Sequence, residues 1–181
     1  MTPLNLIKAL LCFALISTLI SCDPEEPDID NPEEIITSVT YTLTSLTGDT
    51  VTLNFLDEDG DGGNNPIITT EPLAANESYT GQITLLNTLE TPVEDITAEV
   101  AEEDEDHQLF YQLSDNGIAI DYLDEDADLN PVGLVTTLIT GAAGSTDLTI
   151  TLRHLPNKSG EGVSEGMIAN AGGDTDVEVT F

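Results

Sequence analysis

The sequence predicts an all-β domain, an antiparallel sandwich of about eight strands, with a small β-barrel as the alternative. Three observations predict it. Apolar and polar residues alternate with period two in eight separate stretches, turn-forming Gly, Asn, Asp and Ser divide several of those stretches, and one segment alone carries a helix-start signature.

The first strand is read from Val39, Tyr41 and Leu43 alternating with Thr40, Thr42 and Thr44, all residues that suit a half-buried pleated surface. Thr47-Gly48-Asp49 turns the chain, and Val51, Leu53 and Phe55 alternate again, so the two runs predict a hairpin. Alternation returns at 79–86, 108–113, 118–122, 132–139, 148–152 and 177–181, with turn residues such as Ser114-Asp115-Asn116-Gly117 and Gly141-Ala142-Ala143-Gly144-Ser145 between runs. The exception is Thr91-Pro92-Val93-Glu94, where a capping residue is followed by proline at the first helical position and glutamate at the third. Val93, Ile96 and Val100 repeat at helical spacing, which predicts a short helix to about Asp104, although Ile96, Ala98 and Val100 also fit a strand.

Before the first strand the chain has the order of an export signal: a cation at Lys8, an apolar run over 9–20, then Ser21 and Cys22. The run is shorter than the roughly 20 apolar residues a membrane helix needs, and Asp23-Pro24-Glu25-Glu26 follows at once. Leu19-Ile20-Ser21-Cys22 resembles the bacterial lipobox, whose cysteine is lipidated and becomes the first mature residue. Several acyl chains, each adding about 0.8 kcal/mol per buried CH₂, make a lasting anchor. The expected organisation is therefore a signal peptide at 1–21, an acidic tether at 22–34 and one sandwich domain at 35–181. Cys12 leaves with the signal and Cys22 carries lipid, so no disulfide is available to the domain. The tether holds three prolines and seven acids, and proline with self-repulsion keeps such a segment extended.

The full sequence carries 35 acidic residues against three basic ones, a formal net charge of -32. Removing Lys8 leaves only Arg153 and Lys158 against the acids, a mature charge of about -33 by the same counting. Such a chain is not expected to bind nucleic acid or anionic headgroups through charge. Its expected partners are the membrane, through Cys22, and divalent cations.

Three constellations are candidates for chemistry. Asp57-x-Asp59-x-Asp61-Gly62, in a loop at the end of the first hairpin, offers carboxylates at alternate positions and a turn glycine, the opening pattern of calcium loops. Ile68 stands where an EF-hand has its bidentate glutamate, so Asn64, Asn65 or Glu71 would have to complete a Ca²⁺ site. Asp124-x-Asp126-x-Asp128-x-Asn130 is a weaker echo, with Leu129 where a glycine would help the turn. The second constellation is Arg153-His154-Leu155-Pro156-Asn157-Lys158, which gathers the domain's two cations. In so acidic a chain Arg153 and Lys158 are expected to be internal counter-ions, with the acidic run at 102–106 as the partner of Arg153. The third is the pair His107 and His154, whose imidazoles with neighbouring carboxylates suit a transition metal if the fold brings them together.

Asp106-His107-Gln108-Leu109-Phe110-Tyr111, the stretch from Arg153 to Lys158, Asn170-Ala171-Gly172-Gly173-Asp174-Thr175-Asp176-Val177-Glu178-Val179 and the Asp-rich loop resemble a group of small bacterial lipoproteins often labelled "type 1 periplasmic binding fold superfamily". The resemblance implies a lipoprotein of the cell envelope of a Gram-negative-type bacterium and brings no established activity with it. No nucleophile elbow, phosphate loop, Cys-x-x-Cys or His-Glu-x-x-His is present. The expectation is a non-enzymatic binding or structural module, with a small-ligand or metal-binding lipoprotein as one alternative and a hydrolase using paired carboxylates as another.

Overall fold

Threonine, valine, tyrosine and leucine dominate the runs that pair first in the computed structural model, which describes residues 34–181 apart from Asn116 and the side chain of Asp61. The signal sequence, Cys22 and the tether other than Glu34 lie outside the described residues. Strand β1 (Ser38–Ser45) buries Val39, Tyr41 and Leu43, the three residues whose alternation marks it. It turns through Gly48, whose φ of +92° suits glycine, into β2 (Thr50–Leu56), and the two pair from Ser38↔Leu56 to Thr44↔Thr50.

The remaining elements are β3 (Ile67–Thr70), β4 (Ser78–Asn87), β5 (Glu94–Asp95), α1 (Ile96–Glu102), β6 (His107–Leu113), β7 (Ile118–Tyr122), β8 (Val135–Thr140), β9 (Leu148–His154) and β10 (Asp174–Thr180). They form two antiparallel sheets that are not closed into a barrel, a β-sandwich with one short helix. The larger sheet has the order β3-β2-β1-β4-β8-β7, with β5 added to the end of β4, and the smaller is β10-β9-β6. Tyr41, Leu43, Leu85 and Leu138 from the larger sheet join Leu109, Ile150 and Leu152 from the smaller in one apolar core. This all-antiparallel arrangement differs from the two α/β lobes that a periplasmic-binding label denotes.

Three tyrosine hydroxyls brace the sandwich, that of Tyr41 within the larger sheet and that of Tyr122 between the two sheets. Tyr41 meets Thr136 Oγ1 at 2.6 Å, Tyr111 donates to Gly133 O at 2.7 Å, and Tyr122 of β7 donates to Leu109 O of β6 at 2.9 Å. Burial, only partly offset by the Thr136 hydrogen bond, pushes the Tyr41 hydroxyl up to about 12. Gly81 is required here, since a Cβ at that position would come within 2.5 Å of the Tyr41 ring.

Four features depart from the sequence expectations. The helix begins at Ile96 rather than just after Thr91, because Glu94 and Asp95 pair with Asn87 and Leu86 as β5 and are therefore taken from the helix. Val93 consequently stays 53% exposed, and the buried stripe is Ile96 and Val100. Strand β8 starts at Val135, because 132–134 crosses toward the small sheet: Val132 O accepts from Leu109 N and Leu134 O from Ile83 N. Strand β3 was not signalled, since its four residues are all exposed and show no alternation. Strand β10 begins three residues earlier than its apolar alternation, and its register slips between Thr175 and Val177.

Candidate metal centre

The alternation of β6 places His107, Leu109 and Tyr111 on one face, and that of β9 places Leu148, Ile150, Leu152 and His154 on the facing positions. Residues paired directly across an antiparallel ladder hold their side chains close together on the same face. His107 and His154 are such a pair, at the end of the row that supplies the small sheet's share of the core. Their rings stack with centroids 4.7 Å apart and planes inclined by 17°. Both histidines are buried, His107 completely.

The neighbouring strand adds a carboxylate by an irregularity. Thr175 pairs with Arg153 and Val177 with Leu152, so Asp176 is an extra residue in β10, a β-bulge. Bulges re-aim side chains, and here the Asp176 side chain is fully buried, with Oδ2 3.9 Å from His107 Nε2. Glu34 arrives from the segment that leads into β1, on the side of the larger sheet, and its Oε1 lies 3.2 Å from the same nitrogen. One ligand atom from each of Glu34, His107, His154 and Asp176 lies within 4.8 Å of the others.

The orientation of His107 gives this cluster its chemistry. Its Nδ1 is 3.1 Å from the carbonyl oxygen of Glu103, at the end of α1. A carbonyl can only accept, so Nδ1 carries the hydrogen; Nε2 then offers the cluster a lone pair when the ring is neutral and a proton when it is charged. Nε2 is buried and makes no hydrogen bond, although Glu34 Oε1 lies 3.2 Å away. Glu34 Oε2 is likewise buried without a hydrogen-bond partner. A lone pair facing carboxylates is repulsive by itself, whereas a cation between them turns each group into a ligand. Two ligands held roughly 2.0–2.1 Å from a tetrahedral zinc ion are about 3.3–3.4 Å apart, close to the observed Nε2–Oε1 separation. The Glu103 carbonyl supplies the outer hydrogen bond that metal-binding histidines characteristically make.

Lys158 answers to a different acidic spot. Its Nζ is buried and donates to Asp126 Oδ2 at 2.9 Å, to Pro131 O at 3.3 Å and to the Asp104 carbonyl. Asp126 Oδ1 accepts from Asp128 N at 3.0 Å and Asn130 N at 2.8 Å. Burial works against the Asp126 anion, but the hydrogen bonds from Lys158, Asn130 and Asp128 outweigh it and hold the carboxyl below its ordinary range. Asp124 spends both oxygens on the amides of Gly133 and Val135. The Asp124–Asn130 loop is thus organised by amides and by the chain's own ammonium group.

Arg153 does not take the role expected for it. The acidic run is reached by Lys158, through the Asp104 carbonyl, while Arg153 Nη1 donates to Gly173 O at 3.2 Å. The Asp57 loop connects β2 to β3: Asp57 Oδ1 accepts from Asp59 N at 3.3 Å and Asp59 Oδ2 from Asn64 Nδ2 at 2.5 Å, while Asp59 Oδ1 is buried without a hydrogen-bond partner. Glu71 is engaged at the edge of β2, accepting from Thr52 N at 2.8 Å. Among the described residues, the one group of three or more ligands is the cluster around the histidine pair, which joins His107 and His154 with Glu34 and Asp176.

Sequence reasoning missed those last two residues. Glu34 is one acid among many, and Asp176 is out of phase with Val177 and Val179 unless a bulge intervenes. At the other end of β9, an open cleft of about 500 Å³ is lined by Leu53, Leu73, Leu138, Leu148 and Phe181, with exposed Asp115 and Asp147 at its rim.

Fold and site together define an antiparallel sandwich with a buried two-histidine, two-carboxylate cluster at one end of its smaller sheet. No family model, no curated protein and no solved structure matches the chain.

Proposed function

We propose that this chain is a lipid-anchored, non-enzymatic module of the cell envelope whose sandwich is braced by one divalent transition metal held by Glu34, His107, His154 and Asp176. The observation that carries the proposal is the buried Nε2 of His107, fixed by the Nδ1 contact to Glu103 O and directed at carboxylates to which it makes no hydrogen bond. Each strand of the small sheet contributes one ligand, and the fourth comes from the lead-in to the larger sheet. An ion there cross-links both layers, the task a disulfide performs in many exported domains and for which this domain has no cysteine.

Imidazole with carboxylate suits zinc and its neighbours, whereas calcium and magnesium prefer all-oxygen sites. Four protein ligands in a buried setting fill a tetrahedral ion, the arrangement of structural rather than catalytic zinc. The anchor rests on Leu19-Ile20-Ser21-Cys22 and the apolar run before it. Calcium at Asp57, Asp59 and Asp61 is the second metal reading, supported by the sequence spacing and by the buried, unpartnered Asp59 Oδ1.

The test is parallel titration of the full-length protein with Zn²⁺ and Ca²⁺, read by stoichiometry and Tm. One zinc per chain with a raised Tm, both abolished by His107→Ala, is expected. Absence of zinc uptake refutes the centre. A Tm response confined to Ca²⁺ and lost in the Asp57→Ala, Asp59→Ala double variant transfers the metal to the β2–β3 loop.

A further inference from the structure

Three of the four ligands sit on strands that pair with one another, and the fourth does not. His107, His154 and Asp176 belong to β6, β9 and β10, whereas Glu34 lies ahead of β1 at the point where the acidic, proline-rich segment enters the domain. The entering chain is held from Ile36 onward, where Ile36 packs against the core and Thr37 joins the larger sheet. Thr37 N donates to Leu86 O at 3.0 Å, Thr37 O accepts from Asp57 N at 2.8 Å, and its hydroxyl accepts from Thr88 N at 2.8 Å. Between that fixed point and the cluster, Ile35 is 62% exposed while the Glu34 side chain turns inward and is 6% exposed.

Resting on the metal reading above, we infer that the ion is a clasp for the stalk: metal holds Glu34 against the small sheet, and loss of metal frees Glu34 and Ile35. The electrostatics favour release. Glu34 is buried, with a carboxylate oxygen within 4.8 Å of one from Asp176. Glu99, whose carboxyl is pushed above its ordinary range first by burial and then by carboxylates that include Glu34, adds a further acid within electrostatic reach. Burying a carboxylate is costly unless a cation or hydrogen bonds compensate it. With the ion present Glu34 is a ligand. Without it, the lowest-cost arrangement puts the carboxylate back in water, and a short lead-in with few ladder bonds is what opens first.

The consequence is a cation-dependent exit point. Docked, the stalk leaves the domain at the cluster on the small sheet. Released, it leaves at Ile36, two residues later, which lengthens its reach by roughly 7 Å at about 3.3–3.6 Å per extended residue.

The experiment is proteolysis of the full-length protein with a glutamate-specific endoprotease, with Zn²⁺ or with EDTA, following the cut between Glu34 and Ile35 by mass spectrometry. Exposed Glu161 serves as the internal control, and bound zinc is measured in the same samples. Zinc is expected to slow the Glu34 cut by about tenfold or more, because cleavage tracks the open population, while the Glu161 cut changes little. In His154→Ala the protection should vanish. One zinc per chain with an unchanged Glu34 cut overturns the clasp and leaves the metal centre standing. Equal slowing at Glu34 and Glu161 also overturns it, since that reports general stabilisation. No bound zinc removes the metal centre itself, and the clasp with it.

Discussion

The buried acids around Asp126 and those around His107 meet the same electrostatic problem with different sources of positive charge. At Asp126 the chain supplies its own cation: the Lys158 ammonium sits among one carboxylate and two carbonyl oxygens, and backbone amides occupy the other carboxylate oxygen. At the histidine cluster two carboxylates, those of Glu34 and Asp176, converge on the Nε2 of His107, which makes no hydrogen bond. The first site is closed by covalently attached charge and needs nothing from solution. The second gathers two imidazoles and two carboxylates within 4.8 Å of one another, the set proposed above to take an ion from solution. In a chain with three Lys and Arg residues against 35 acids, such a division follows from supply.

The largest effect that distinguishes the two belongs to Lys158. Lys158→Ala leaves Asp126 buried without its counter-charge, and breaking such a pair costs about 3–5 kcal/mol. For a domain of this size that lowers Tm by roughly 10 °C. Thermal melts should show the loss equally with zinc and with EDTA. A loss that zinc rescues would merge the two sites into one.

A smaller effect is the acid dependence of the same pair. Asp126 has a folded pKa below its unfolded value, so its contribution is complete above the ordinary aspartate range near ~3.9 and disappears as pH falls through the lowered folded value. The stability gap between wild type and Lys158→Ala should therefore narrow over that acid window. Chemical denaturation at pH steps from about 5 to about 2 measures it. A gap that widens on acidification would show that Asp126 is not the group Lys158 stabilises.

The same contrast explains what could be read in advance. Strand alternation gave most of both sheets, because Val39-x-Tyr41-x-Leu43 and Leu148-x-Ile150-x-Leu152 each bury one face. It also carried a signal that was left unused. His107 is in phase with Leu109 and Tyr111, and His154 with Leu152 and Ile150, so both rings belong on the core face of their strands. Asp176 was hidden because a bulge changes the phase, and a bulge has no mark in period-two counting. Glu34 was hidden because its partner residues lie 73, 120 and 142 positions away along the chain.

Lys158 was legible as an internal counter-ion from the scarcity of cations, but its partner was not. The acidic run at 102–106 contributes a backbone oxygen of Asp104, and the carboxylate comes from Asp126 instead. The Thr91-Pro92 signature misplaced the helix start for a comparable reason. Local capping preferences yielded to the β4 ladder, which recruits Glu94 and Asp95 and leaves the Thr97 hydroxyl to accept from Leu85 N at 2.8 Å.

The most direct measurement is diffraction from crystals of the zinc-loaded protein, recorded on both sides of the zinc absorption edge. One anomalous peak is predicted, about 2.0–2.1 Å from His107 Nε2 and coordinated by Glu34, His154 and Asp176. A peak at the Asp57–Asp61 loop with none beside His107, or a histidine cluster without zinc in crystals grown with excess metal, would contradict the metal centre.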